Sequence, residues 1–86
     1  GSGKMLVDAR AKQLLVRENV KSVLIRSPSS NSYTVWVGDS TVSVDRGFPL
    51  YPGDSLVLGV RNASEVYLVS EGGAQYVYTI FLGVKE

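Results

Sequence analysis

Apolar and polar residues alternate along most of the chain beyond residue 20, and short turn signals separate one alternating run from the next. In the run Lys21–Ser27, for example, Val23 and Ile25 share one face. The strands that this pattern predicts are 21–27, 33–37, 41–44, 48–51, 55–60, 65–70 and 75–82. About seven or eight short strands separated by turns indicate a sandwich or a small barrel. We therefore predict an all-β fold: a small antiparallel β-sandwich or jelly-roll-like barrel with an extended N-terminal arm.

A glycine-containing turn indicates that two of the predicted strands pair with each other. Residues 38–40 read Gly-Asp-Ser, between the predicted strands 33–37 and 41–44. Glycine tolerates the positive φ angles of tight hairpin turns. The two strands are therefore predicted to form a hairpin.

The stretch 47–60 predicts an edge strand, a turn and a core strand in succession. Pro49 cannot donate a hydrogen bond to a sheet, which places the short segment 48–51 at a sheet edge. Pro52 and Gly53 suit the two central positions of a type II turn. The apolar strand that follows carries Leu56 and Leu58 on one face.

The N-terminal segment has a mixed pattern. Residues 5–17 are compatible with about two helical turns or with an extended arm that leads into a strand. Because the rest of the chain reads as β, the arm with a first strand is the preferred interpretation. We expect residues 1–4 to be a cloning remnant outside the fold, and residues 18–86 to form a single β domain.

The composition excludes several kinds of functional site. The 86-residue chain has no cysteine and no histidine, which excludes disulfides, thiolate metal sites and the commonest general base. A core this small is commonly supplemented by disulfides, a metal or oligomerisation. Self-association is therefore the expected source of further stability.

The charge pattern argues against two classes of partner. Nine basic and eight acidic residues give a net charge of +1, without a long run of either sign. Nucleic-acid binders usually carry a clustered basic footprint, so we expect no nucleic-acid partner. The apolar runs are far shorter than the roughly 18 residues of a membrane-spanning helix, so we expect no membrane partner.

The predicted strand 75–82 is apolar on both faces, and the strand 65–70 is similar. A half-exposed antiparallel strand should alternate apolar with polar residues. The second apolar set therefore predicts an oligomer interface. The residues assigned to this interface are Tyr67, Val69, Tyr76, Tyr78, Ile80 and Phe81. The alternative is that both strands are central in a two-layer sandwich that loops close.

Aromatic residues suggest a second kind of surface. Trp36 falls on the strand face opposite Val35 and Val37, so its ring is a candidate for exposure. Trp36, Tyr33 and Tyr51 form a candidate platform for stacking a glycan. The alternative is that these aromatics serve packing or the interface, as strand aromatics usually do.

The polar residues predict no catalytic site. Asp39, Asp45 and Asp54 fall in predicted turns, where aspartate bonds the nearby backbone. A calcium site needs several convergent oxygens, and the spacing of these residues matches no such loop. A paired-carboxylate site and a serine nucleophile are equally unsupported, the latter because no histidine is present. We expect a non-enzymatic protein without a metal or another cofactor.

Five segments in order resemble a group of small structural proteins of tailed bacteriophages. The segments are Lys21–Asn31, Val35-Trp36-Val37-Gly38, Gly47-Phe48-Pro49-Leu50, Pro52-Gly53-Asp54-Ser55-Leu56 and Val66-Tyr67-Leu68-Val69. The resemblance covers residues 21–82, with Trp36 where tyrosine is more usual and Asp54 where glutamate is common. Residues up to Arg17 match no part of the pattern.

The resemblance implies a virion component: a β-module that decorates or cements the capsid without catalysing a reaction. It also implies a symmetric homo-oligomer, preferably a trimer, with the major capsid protein or another virion protein as a further partner. Residues 5–17 would then reach a neighbouring subunit or the shell. The alternative is a receptor- or glycan-binding module of a tail or head fibre.

Overall fold

The computed structural model of the protein describes residues 2–14, 20–59 and 65–84. Within these ranges the chain forms β-strands and no α-helix. The strands are β1 Ser2–Val7, β2 Lys12–Gln13, β3 Val20–Arg26, β4 Val35–Gly38, β5 Phe48–Leu50, β6 Ser55–Gly59, β7 Tyr67–Ser70 and β8 Gln75–Val84. They build two antiparallel four-stranded sheets. The first sheet has the order β1-β8-β3-β6 and the second has the order β2-β7-β4-β5. The predicted all-β class is confirmed.

One apolar core lies between the two sheets. The first sheet contributes Val7, Val23, Ile25 and Val77, and the second contributes Val35, Val37, Leu50 and Leu68. These residues occupy alternate positions of their strands, so each strand turns one face inward. The alternation seen in the sequence therefore matches the inner face of β3 and β4, whereas for β8, which is apolar on both faces, it did not distinguish the inner face.

The predicted hairpin between 33–37 and 41–44 is wrong. Strand β4 pairs with β5 and β7, and residues 39–47 form turns with one isolated bridge between Ser43 and Arg46. The Asp39 carboxylate accepts hydrogen bonds from the backbone N–H and the hydroxyl of Thr41, at 2.8 and 2.6 Å. Local bonding of this kind competes with a sheet ladder, and it replaces the predicted strand.

Gly47 ends this turn region in a conformation that favours glycine. Its φ is 149°, and a Cβ atom added there would lie 2.8 Å from the carbonyl oxygen of Val37. That oxygen belongs to the backbone of β4, so it cannot move aside without disturbing the sheet. The close approach of Gly47 to β4 therefore depends on the missing side chain.

We expect Gly47→Ala to lower the free energy of unfolding by about 1–3 kcal/mol, because it combines backbone strain with a backbone clash. Gly59→Ala is the matched control, since a Cβ at Gly59 would meet no atom within 4 Å. Urea denaturation of both variants measures the difference. Equal stability of the two variants would contradict the close approach at Gly47.

The edge strand and the turn after Gly47 follow the prediction, but the predicted core strand 55–60 does not. β6 lies at the edge of the first sheet, and its Leu56 and Leu58 are only partly buried against the core, while residue 60 lies outside the described residues. Strand β5 contains Pro49 and lies at the edge of the second sheet. The backbone N–H of Asp54 donates to the carbonyl of Tyr51 at 2.8 Å, and Gly53 has a φ of 93°. This is the positive φ that the third residue of a type II turn requires.

The N-terminal residues belong to the fold. β1 pairs with β8 from Ser2 opposite Ile80 to Val7 opposite Gln75, so residues 2–4, which we expected outside the fold, are part of a strand. β2 pairs with β7 in the other sheet. Residues 5–7 are thus extended but paired within their own chain, and they do not form a free arm. The part of the predicted arm and first strand at 15–17 lies outside the described residues.

Candidate functional site

The outer face of the first sheet carries a broad set of exposed or half-buried apolar side chains. We call this surface the apolar face. Its members are Leu6 on β1, Tyr76, Tyr78, Ile80 and Leu82 on β8, Leu24 on β3 and Val57 on β6. All of them occupy the strand positions that alternate with the core positions, which is why they share one side of the sheet.

The strand register makes the apolar face continuous. Leu24 of β3 lies opposite Ile80 of β8 on one side and opposite Val57 of β6 on the other. Leu6 lies opposite Tyr76. Directly opposite side chains in an antiparallel sheet are about 4.5–5.5 Å apart at Cβ, so Ile80, Leu24 and Val57 form one apolar row across three strands. Leu6 and Tyr76 form a second pair across two strands, and Tyr78 lies between the two sets on β8.

The charges on this face are basic. Lys4 and Arg26 lie opposite Tyr78 from its two sides. The Lys4 Nζ atom is 4.5 Å from the centroid of the Tyr76 ring, within the range of a cation–π interaction. The strands of the first sheet contain no aspartate or glutamate. The face therefore combines apolar side chains with two cations in the row of Tyr78, one of which, Lys4, lies over the Tyr76 ring.

The structure does not bring the predicted interface residues to one surface. Tyr76, Tyr78 and Ile80 lie on the apolar face. Phe81 points the other way and packs against the core. Tyr67 and Val69 lie in the second sheet, and Val69 is only 3% exposed.

The burial of Val69 has a reason in the register. Val69 is directly opposite Trp36 on the outer face of the second sheet, where a large neighbouring side chain can cover it. The doubly apolar pattern of β7 is thus satisfied within the chain, whereas that of β8 is not. This difference separates the two strands that looked alike in the sequence.

Four members of the apolar face were missed in the prediction. Leu82 and Leu24 were visible as the second face of predicted strands, but they were not assigned to the interface. Leu6 and Val57 join the face because β1 and β6 lie on either side of β8 and β3. That neighbourhood depends on long-range pairing, which local alternation does not encode.

The three residues of the candidate glycan platform differ in exposure: Tyr33 and Tyr51 are exposed, whereas Trp36 is half-buried. Trp36 lies at mid-strand opposite Pro49 and is half-buried, with its Nε1 atom buried and without a hydrogen-bond partner in the described part of the chain. Tyr51 is exposed just after β5. Tyr33 lies in the loop before β4, with its ring so close to Gly72 that a Cβ there would overlap it. Trp36 therefore does not present a free ring.

Gln75 organises the loop that holds Tyr33. Its Oε1 atom accepts hydrogen bonds from the backbone N–H groups of Ser32 and Tyr33, each at 3.1 Å. Its Nε2 atom donates to the carbonyl of Tyr33 at 2.6 Å. Asn31 binds the same strand by donating to the carbonyl of Tyr76 at 2.8 Å. These bonds fix the loop 27–34 against β8, and the sequence offered no signal for them.

A cleft of about 710 Å³ opens between the edges of the two sheets at β1 and β2. Its lining includes Met5, Leu14 and Phe81, which also belong to or border the core. Lys12, at the same cleft, lies 3.5 Å from the Asp8 carboxylate. The cleft is thus the open margin of the core. Of the two lysines that line it, Lys12 pairs with Asp8 and Lys4 lies over the Tyr76 ring.

Three aspartates, at positions 8, 39 and 54, accept local hydrogen bonds that stabilise turns. Asp39 is held by Thr41, and the hydrogen bonds from the hydroxyl and the backbone N–H of Thr41 keep the Asp39 pKa below its usual value. Asp54 accepts a hydrogen bond from the backbone N–H of Tyr51 at 3.1 Å. The backbone N–H of Arg10 likewise lowers the pKa of Asp8. Among the described residues, no three potential metal ligands of the His, Cys, Asp or Glu type lie together.

Comparison with protein-family models, with curated proteins and with solved structures gave no match. The part of the chain that the structure describes contains no helix long and apolar enough to cross a membrane. The apolar face is consequently the feature on which a functional proposal has to rest.

Proposed function

We propose that this protein is a non-enzymatic structural component of a phage virion, which decorates or cements the capsid as a symmetric homo-oligomer. The oligomer forms through the apolar face, and a trimer of the 9.3 kDa chain is the preferred state. The major capsid protein or another virion protein is the further partner.

The observation that carries the proposal is the continuous apolar face. Isolated apolar residues on a surface are ordinary, but an apolar patch that joins several strands of a sheet indicates a surface that another molecule covers. The core lies on the opposite side of the same sheet. Because the described chain has no second layer over this face, a neighbouring subunit is the natural cover.

The tyrosines and cations suit an interface better than a reaction site. Tyrosine and arginine are enriched in the buried centres of protein interfaces, because they combine apolar area with hydrogen-bonding groups. Tyr76, Tyr78 and Arg26 provide such groups on the apolar face. The face offers no carboxylate that could act as a base together with them.

The virion role itself is supported by the resemblance of residues 21–82 to phage structural proteins. The role of the N-terminal residues changes with the structure, because Lys4 and Leu6 contribute to the apolar face as part of β1. They are therefore assigned to the interface between subunits and no longer to an arm that reaches the shell.

Purified virions test this role directly. We expect the coding sequence to lie among genes for capsid, portal or tail proteins, and antibodies against the chain to label the heads of particles from that phage in electron micrographs. Labelling of tail tips would favour the fibre alternative. Absence of the chain from purified particles would contradict a virion role, even if the protein oligomerises.

A further inference from the structure

Strand β6 is an open edge of the first sheet. It pairs with β3 on one side, and no described strand pairs with its other side. An unpaired edge presents free backbone N–H and C=O groups to any strand that can approach. The partner that can pair with β6 depends on which of its backbone groups point to the open side.

The ladder between β3 and β6 fixes the phase of these groups. The backbone N–H of Ser27 donates to the carbonyl of Asp54 at 2.9 Å, at the start of the ladder. Hydrogen-bonded and non-hydrogen-bonded positions alternate along an antiparallel pair. Counting from Asp54, Leu56 and Leu58 are the positions that bond to β3.

The remaining positions of β6 therefore face the open edge. Ser55, Val57 and Gly59 each direct both a backbone N–H and a C=O away from β3. All of them are exposed, and Val57 is the most exposed large apolar residue among those described, at 58%. The edge is thus a row of unsatisfied donors and acceptors centred on Val57.

The other three edges carry features that block pairing, and β6 does not. β1 has Lys4, β2 has only the residues 12–13, and β5 has Pro49 within three residues. Lysine, proline and very short length are the usual means of protecting an edge. β6 reads Ser-Leu-Val-Leu-Gly, without charge or proline over five residues.

We propose that β6 pairs antiparallel with β6 of a second copy of this chain, about a two-fold axis that passes beside Val57. In this register Val57 lies opposite its symmetry mate, and Ser55 lies opposite Gly59 of the other copy. Each of these positions is of the hydrogen-bonding type, so every free N–H in the row meets a free C=O. The first sheets of the two copies become one continuous sheet.

The side chains favour a second copy over another partner. A two-fold axis brings like residues together, which would be unfavourable for a charged centre but suits a β-branched pair such as Val57 with Val57. Ser55 and Gly59 are small enough to lie opposite each other without crowding. The pairing also joins the apolar faces of both copies edge to edge.

Val57 belongs both to this edge and to the apolar face, but the pairing uses its backbone groups, so the inference does not depend on the virion role. Pairing through β6 uses backbone groups, whereas association through the face uses the side chains of Tyr78, Ile80 and their neighbours. Backbone variants and side-chain variants therefore separate the two.

Residue-specific amide exchange is the primary test. We expect exchange at Val57 and Gly59 to slow by at least about tenfold as the concentration of the wild-type chain rises from micromolar to millimolar, because new hydrogen bonds form. Fast exchange at every concentration would overturn the proposal. Slow exchange that does not depend on concentration would overturn it as well, since the chain itself would then cover the edge.

A pair of variants at the central position isolates the backbone donor. Val57→Pro removes the outward N–H without breaking the ladder to β3, a position where an edge strand tolerates proline. We expect it to weaken the β6-dependent dimer about 30-fold, as for the loss of two hydrogen bonds of ordinary net strength. Val57→Ala keeps the donor and should weaken it no more than about fivefold.

Sedimentation velocity compares the association of the Val57→Pro and Val57→Ala variants. Both are made in an Ile80→Lys background, which prevents association through the apolar face. Circular dichroism confirms that each variant is folded. Equal association of the proline and alanine variants would refute backbone pairing at this edge. Protection of Val57 that appears only when an extended peptide from another protein is added would show that the occupant is not a second copy.

Discussion

Replacing Ile80 with lysine is expected to dissociate the homo-oligomer that we propose forms through the apolar face, and to leave the subunit folded. Ile80 is 42% exposed and lies in the row with Leu24 and Val57 at the centre of the face. A lysine there would place an unpaired ammonium group against apolar surface of the neighbouring subunit, which carries a large desolvation cost. We expect association to weaken by more than about 100-fold, which corresponds to about 3 kcal/mol.

Val44→Lys is the matched control for this substitution. Val44 is 39% exposed, close to the value for Ile80, but it lies in the turn region 39–47 away from the first sheet. The same change of an aliphatic residue to lysine should leave association within about threefold of wild type. Equal loss of association in both variants would mean that net charge, and not the apolar face, controls assembly.

The second large effect concerns the core. Leu68→Ala should lower the free energy of unfolding by about 2–5 kcal/mol, because it removes buried methyl groups and leaves a cavity. Leu68 has no exposed surface and belongs to the core cluster between the two sheets. For a domain of this size, such a loss is a large part of the total stability.

Leu82→Ala is the control for Leu68→Ala. Leu82 is 41% exposed on the apolar face, so in the dissociated subunit its truncation should cost less than about 1 kcal/mol. Thermal and urea unfolding at a concentration where the chain is monomeric compare the two. If Leu82→Ala destabilised the monomer as much as Leu68→Ala, the outer face of β8 would be covered within the subunit, and the assignment of an interface would fail.

Alternation along the chain was sufficient to predict the strands that have one buried face. β3, β4, β6 and β8 were each predicted at nearly their observed positions, because Val23, Ile25, Val35 and Val77 are buried at every second residue. The turn at Pro52 and Gly53 was predictable because its residue types have specific backbone preferences.

Pairing between distant strands was not predictable from the same pattern. The segment 41–44 has strand-like composition, but Asp39 and Gly47 draw the chain into turns by side-chain bonding and close backbone approach. Residues 2–4 of β1 were placed outside the fold and residues 5–7 in an arm, because this short segment gives no indication of β8 as a partner. Tertiary contacts of this kind override local propensity.

The residues of the candidate site were likewise predictable only in part. Of the β8 residues assigned to the interface, Tyr76, Tyr78 and Ile80 lie on the outer face, whereas Phe81 packs against the core. The similar doubly apolar pattern in β7 led us to assign Val69 to the interface, but Val69 is buried in the second sheet, next to Trp36. Whether a second apolar face is satisfied within the chain depends on the neighbouring strand, and hence on the topology.

Sedimentation equilibrium of the Val57→Pro chain, in which the β6 edge cannot contribute, tests the central claim most directly. The apolar face predicts a reversible oligomer, with a trimer of the 9.3 kDa chain as the expected mass, and a shift to smaller species when Ile80→Lys is added. A mass of 9.3 kDa at every concentration up to the millimolar range would contradict the claim that another subunit covers the apolar face.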